Sequence, residues 1–243
     1  MEGLFETVLK RRFVVLGGAV IAASAATGCS TTVSTSRRAT VPVRPPNIYD
    51  TMYAAVPDEA FPLPAIPYQR IDPRYLRQLV DDPTGERPGT LVVDTNQHFL
   101  YLVYEGGKAI RYGVGLGRAG FEWAGDGVIQ YKREWPTWTP PQEMIMRQPE
   151  LEPFSASNGG MPPGLTNPLG ARALYIFRGG RDTLYRVHGS PEWWTIGKSV
   201  SSGCVRMMNQ DIIDLYNRVP SGAPIMVRGL PDDPGTYSST RTI

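Results

Sequence analysis

The segment RVHGSPEWWTIGKSVSSGCVR, residues 186–206, holds one of the chain's 2 histidines and one of its 2 cysteines. His188 is followed by Gly189, and Cys204 is preceded by Gly203. A thiol of ordinary pKa, about 8.5, is only slightly ionised near neutral pH, so it is a poor nucleophile until a base takes its proton. A neighbouring imidazole supplies that base and, as an ion pair, lowers the thiol's effective pKa. The chemistry open to such a pair is acyl transfer, which also needs N–H donors aimed at a developing oxyanion. The backbone N–H groups of Gly203 and Cys204 are candidates, because a glycine lets the chain turn tightly beside the thiol. Ser201 and Ser202 can brace that turn through their hydroxyls. The competing reading is an inert pair of core residues, since free cysteine is often buried.

Acting together, His188 and Cys204 require a strand end for the imidazole and a turn for the thiol. From Gly89 the apolar residues recur with a period of two. TLVVDTNQHFLYLVYEGGKAIRYGVGLG reads as three strands with turns near Thr95–Gln97 and Glu105–Gly107. Further strands are expected at Gly127–Arg133, Ala173–Arg178, Leu184–His188 and Ile225–Arg228, with RGGRD, Arg178 to Asp182, as a hairpin turn. One helix interrupts this pattern near the end. Asn209 is its expected cap, Asp211 suits its positive end, and Ile212, Ile213, Tyr216 and Val219 form its buried stripe. The fold class is therefore mainly β, a sandwich or open barrel with one helix after Cys204 and long loops. Met207 and Met208 read as core, and His98 as structural or solvent-facing. The segment 134–170, with EWPTWTPP, NGGMPPG and NPLG, is too long and proline-rich for a hairpin turn, and its aromatic residues favour an ordered loop.

Upstream, YQRIDPRYLRQLV, Tyr68 to Val80, suggests a short helix with Asp72 as cap and Pro73 in the first turn. Residues 30–67 are rich in Ser, Thr, Pro and Arg and read as a tether. Before them, Lys10, Arg11 and Arg12 precede an apolar run, Phe13 to Ala26, too short for an ordinary spanning helix. Thr27-Gly28-Cys29 after that run resembles a bacterial lipobox, in which Cys29 carries lipid, although Ala26 stands where leucine is usual. A plain cleaved signal and an uncleaved short anchor are the other readings, and Arg11-Arg12 leaves twin-arginine export open. Each reading sends the domain out of the cytoplasm. The expected organisation is 1–29 signal, 30–67 tether, 68–88 helical lead-in, 89–229 catalytic domain and 230–243 tail. If Cys29 is lipidated or removed, Cys204 is the sole mature thiol, an unusual exposure to oxidation for a residue with no task.

A net charge of +2 without a basic stripe does not suggest nucleic acid. Two cysteines and two histidines, dispersed, do not make a zinc set, so no metal or other cofactor is expected.

The order His188-Gly189, an intervening spacer, then Ser201-Ser202-Gly203-Cys204-Val205-Arg206 resembles the L,D-transpeptidase catalytic domain of the YkuD type. LVVDTNQHFLYLV at the domain start, the stretch near Gly127 and NPLGARALY match in the same order, so the resemblance covers about residues 89–228. Ser202 stands where a second histidine is common in the family. The resemblance implies an enzyme of bacterial peptidoglycan that acts on stem peptides by two-step acyl transfer. Cys204 is then the nucleophile and His188 the proton carrier. The Gly189 carbonyl orients the imidazole, and the N–H groups of Gly203 and Cys204 form the oxyanion site. Arg206 orders the loop, meets a substrate carboxylate, or is a structural arginine paired with an acidic neighbour. Trp193 and Trp194 either line a substrate groove or pack in the core. The acyl acceptor is left open: a second stem, a protein amine such as that of an outer-membrane protein, or water. The contrasting reading is a catalytically silent peptidoglycan-binding or anchoring module.

Overall fold

The computed structural model describes residues 47–117, 124–201 and 203–228. The expected signal segment, Cys29, Ser202 and the tail at 230–243 lie outside them. Among the described residues, no helix is long and apolar enough to cross a membrane.

Eleven strands are described: β1 (Gln78–Asp81), β2 (Leu91–Asp94), β3 (Phe99–Tyr104), β4 (Lys108–Gly113), β5 (Leu116–Gly117), β6 (Gly125–Glu134), β7 (Arg172–Arg178), β8 (Arg181–Ser190), β9 (Ser199–Ser201), β10 (Val205–Met208) and β11 (Pro224–Arg228). Nine of them form one sheet in the order β1-β4-β3-β2-β11-β6-β7-β8-β10, and β5 pairs with β9. Most neighbours are antiparallel, but β11 runs parallel to β2 and β10 parallel to β8. Beyond β4 the chain reaches across to the far edge, where Gly115 and Arg206 exchange both backbone hydrogen bonds, at 2.9 and 2.8 Å. The segment beyond β4 thus bridges to β10, and the fold is mainly β as expected, built on one large mixed sheet.

Alternation along the strands explains the two-sided burial. Leu91, Val93, Leu100 and Leu102 face the main core with Ile129, Leu174, Ile176 and Val187. Val92, Phe99, Tyr101 and Val103 face the other side, where Tyr75 and Val80 cover them. A sheet covered on both faces reads as near-continuous apolar runs, as LVV and FLYLV do. The hairpin at Arg178–Asp182 forms as expected: Arg178 pairs with Arg181 across Gly179-Gly180, whose φ values of 56° and 77° suit a two-residue loop.

The helix α3 (Asn209–Arg218) lies over β7, β8 and β10, with Ile212, Leu215 and Val219 buried in the main core. Ile213 and Tyr216, expected in that stripe, are half-buried. Asn209 does not cap the helix: it is the first helical residue and its side chain bonds elsewhere. Met207 and Met208 are fully buried.

Two expectations upstream are corrected. The segment Tyr68–Val80 forms two single 3-10 turns, Tyr68–Arg70 and Pro73–Tyr75, and then β1. Asp72 does accept the Arg74 N–H at 3.0 Å, but Leu76 turns extended and Gln78–Asp81 pairs with β4 instead of continuing a helix. The tether expected at 30–67 is also too long. From Asn47 the chain is folded, with helix α1 (Ile48–Met52) and with Tyr53, Leu63 and Ile66 buried. Tyr53 donates its hydroxyl to Asp211 of α3 at 3.3 Å and accepts the Arg77 N–H at 2.8 Å. Isolated apolar anchors of this kind have no period, which is why the composition reads as a linker.

The long segment 134–170 is ordered. It contains helix α2 (Gln142–Arg147) and several 3-10 turns. The Trp135 indole N–H donates to Glu59 at 2.8 Å, and the Asn167 amide donates to the carbonyls of Pro136, Met161 and Pro162.

Candidate active site

The spacing of His188 and Cys204 follows from the sheet. β10 lies parallel to β8 with Val205 opposite Val187 and Arg206 opposite His188. Parallel neighbours need a crossover of about a dozen residues or more, and residues 191–204 supply it. Side chains alternate between faces along a strand. Val187, Val205 and Met207 point into the main core, so His188 and Arg206 share the opposite face. Cys204 immediately precedes β10.

His188 is 4% exposed, and its Nδ1 lies 2.5 Å from the Gly189 carbonyl oxygen. A carbonyl only accepts, so Nδ1 carries the proton and Nε2 keeps its lone pair. Burial pushes the imidazole down to about 4. The Gly189 hydrogen bond opposes that shift, and the Arg206 and Arg186 cations reinforce it. The Cys204 thiol is raised by burial, against a hydrogen bond from the Arg186 backbone and the charges of Arg186 and Arg206. Both shifts favour the uncharged forms. Burial thus works against charging either group, and the arginine charges lower both.

Gly203 has φ 130°, and a Cβ there would sit 3.3 Å from the Tyr185 ring, so the turn before the thiol is reserved for glycine. Gly189 is held by a close approach. A Cβ on it would lie 2.3 Å from Asn209 Oδ1 and 2.9 Å from Ile212 Cγ2. The same Oδ1 would be 2.3 Å from a Cβ on Gly170, and it accepts the Ala171 N–H at 3.0 Å. Asn209 is thus a buried wedge beneath the peptide that holds His188. Sequence reasoning treated it as a helix cap. The available signal was Gly189 itself, since a glycine inside a strand marks a close backbone approach.

Arg206 donates to Glu192 at 2.6 Å, which ties the start of the crossover to β10. Arg186 makes a two-pronged ion pair with Asp182, at 2.7 and 2.8 Å. The Ser201 backbone lies in β9, paired with Gly117. His98 is structural: its Nε2 lies 3.0 Å from Ser199 Oγ, joining the turn before β3 to β9.

Trp193 and Trp194 open a 3-10 turn in the crossover, with ring centroids 5.6 Å apart and planes nearly perpendicular. Trp193 packs on the cluster of Tyr53, Tyr68, Ile71 and Ile196, whereas Trp194 is 52% exposed. Both line a cleft of about 280 Å³ together with Arg70, Tyr75 and Lys198. Trp193 is thus partly in a core cluster, while Trp194 faces solvent.

The model of the L,D-transpeptidase catalytic domain (YkuD) matches residues 88–227. Among curated proteins, the chain is 32% identical over 163 residues to "Probable L,D-transpeptidase ErfK/SrfK" of Escherichia coli K12, covering 65% of this chain and 48% of that protein. It is 34% identical over 141 residues to "Probable L,D-transpeptidase YbiS" of the same organism, covering 56% and 43%. The chain spans about half the length of the curated relatives it matches. Among solved structures, a Brucella melitensis protein described as a probable carnitine operon oxidoreductase is 47% identical, with 63% of this chain and 94% of that one covered and a TM-score of 0.45.

Proposed function

The chain belongs to the L,D-transpeptidase catalytic domain family, and on that premise we propose that it is a cysteine-dependent L,D-transpeptidase of peptidoglycan stem peptides. In the first step the Cys204 sulfur attacks the carbonyl of the third stem residue, a diamino acid at its L centre. The S–C bond forms, the C–N bond to the terminal D-alanine breaks, and the thiol proton passes through His188 Nε2 to the leaving amine. In the second step an amine attacks the thioester and gives its proton to His188, the new C–N bond forms, and the thiol is restored. Water as acceptor gives trimming instead of cross-linking, and a protein amine gives attachment of that protein to the wall. The N–H groups of Gly203 and Cys204 are assigned to the oxyanion.

What supports this reading is the parallel register of β8 and β10, which starts one residue after Cys204 and pairs Arg206 with His188, together with the tie of Nδ1 to the Gly189 carbonyl. An orienting carbonyl is what a general base needs to keep Nε2 available. The basic N-terminus and the apolar run Phe13–Ala26 support export to the cell envelope, with Cys29 as the candidate for lipid attachment. The test is incubation with purified stem peptides and candidate amine acceptors, read by mass spectrometry. A thioester on Cys204 and an L,D-linked product are expected, both lost in Cys204→Ala. Wild-type protein that binds stems, forms no thioester and releases no D-alanine would instead be a silent binding module.

A further inference from the structure

The cleft beside the crossover belongs to neither the thiol nor the imidazole. It is bounded by the lead-in turns on one side and by Trp193, Trp194 and Lys198 on the other. Arg70, Asp72 and Tyr75 precede the family-matched residues 88–227, so half of its wall is supplied from outside that match. We propose that this cleft binds the glycan end of the substrate, an N-acetylated amino sugar carrying the stem; this rests on the reading of the stem peptide as substrate.

Four observations favour a sugar ring. First, the aromatic platform is fixed. Trp193 is held at right angles to Trp194, and the Arg70 guanidinium lies 5.2 Å from the Trp193 ring centroid. Trp194 is consequently held upright with more than half of its surface in solvent. A flat, pre-set apolar face suits the C–H face of a pyranose, because little side-chain freedom is lost on contact. Second, polar groups fringe that face. Arg70 and Lys198 offer N–H donors for hydroxyl and acetamido oxygens, and among the described residues neither makes an ion pair with a carboxylate. Asp72 accepts the Arg74 N–H on one oxygen and keeps acceptor capacity on the other for a hydroxyl. Third, about 280 Å³ suits a small rigid group, below the ~300–1,000 Å³ range of sites that enclose larger ligands. Fourth, the reach agrees. Lys198 precedes Cys204 by six residues, which bounds their separation at roughly 20 Å. A three-residue stem extended from the attacked carbonyl spans about 10 Å, a length of the same order as that bound.

Two measurements test this. Titration calorimetry with an N-acetylhexosamine disaccharide that lacks any stem, on Cys204→Ala protein, reports the cleft without turnover. Binding is expected, weakened about tenfold by Trp194→Ala, whose exposed position makes misfolding an unlikely cause. Separately, the ratio of kcat/KM for a disaccharide-bearing tetrapeptide to that for the free tetrapeptide is expected to exceed one in wild type and to approach one in Trp194→Ala and Arg70→Ala. Turnover of both substrates with a wild-type ratio of one overturns the sugar assignment while leaving the proposed reaction standing. So does disaccharide binding that Trp194→Ala leaves intact. Failure of the reaction alone, with binding intact and sensitive to Trp194, overturns the transpeptidase reading and keeps the cleft.

Discussion

Acidification distinguishes a buried neutral imidazole from an exposed one by its effect on folding. His188 sits at about 4 in the folded protein against an ordinary 6.5. Above 6.5 it is neutral in both states and contributes no pH dependence. Between 6.5 and 4 the unfolded chain takes a proton that the folded one refuses, so stability falls as the pH falls. Below about 4 both states are protonated and the loss is complete. A gap of about 2.5 pKa units at ~1.36 kcal/mol each gives roughly 3 kcal/mol. Asp211 works in the opposite sense. Burial raises it to about 7, so the folded state keeps a proton that the unfolded state releases. Its contribution is present below the ordinary 3.8 and is lost as the pH rises through 7. The wild-type curve alone therefore mixes two opposed effects. The difference between wild type and His188→Gln isolates the imidazole, because Asp211 is common to both. Urea unfolding followed by tryptophan fluorescence at intervals from pH 4 to 7.5 measures it. The wild-type advantage should grow by about 3 kcal/mol across that range, with its slope concentrated between 4 and 6.5. A difference independent of pH would refute the claim that burial holds His188 neutral.

Catalysis should follow the same neutral imidazole: the acid limb of kcat/KM with stem peptide should fall near 4, and a limb at 6.5 would mean a solvated imidazole. Gly189→Ala should lower both the melting temperature and kcat, because its Cβ would lie 2.3 Å from Asn209 Oδ1. Adding Asn209→Ala should recover part of that loss, with a coupling of about 1 kcal/mol in a double-mutant cycle, and strictly additive effects would remove the wedge from the account. Tyr53→Ala should cost about 3–5 kcal/mol in urea unfolding, as for a buried aromatic removed from a core, and a cost near zero would show that residues 47–66 are dispensable to the fold.

The elements legible from sequence are those whose signal is local. Alternation placed β2, β3, β4 and β7, two glycines placed the hairpin at Arg178–Asp182, and the apolar spacing after Met208 placed α3. His188 and Cys204 were legible because their types are rare and their flanking glycines give a pattern. What escaped depends on partners distant in the chain. Tyr75, Leu76, Leu79 and Val80 have helical spacing, yet β1 forms because β4 offers an edge, and Leu79 ends 70% exposed. Tyr53 anchors to Asp211 across 158 positions, which no window reveals. Asn209 reads as a cap because capping is local, whereas the glycines it presses against, Gly170 and Gly189, lie elsewhere in sequence. The shifts of the thiol and the imidazole are not legible for a related reason: they depend on burial, and burial is set by the whole sheet.

The parallel pairing of β8 with β10 has a consequence for how such a protein can change. His188 is carried by β8 and Cys204 immediately precedes β10 beside it, while the path between them loops outside the nine-stranded sheet and is clasped near its start by Glu192 and Arg206. Length and composition within that detour can drift, or be exchanged wholesale, without altering the spacing of the two strands. On the proposed reading, transfer and selection sit on separate pieces of chain, so a graft confined to residues 193–198 should retune what is selected while the transfer step persists.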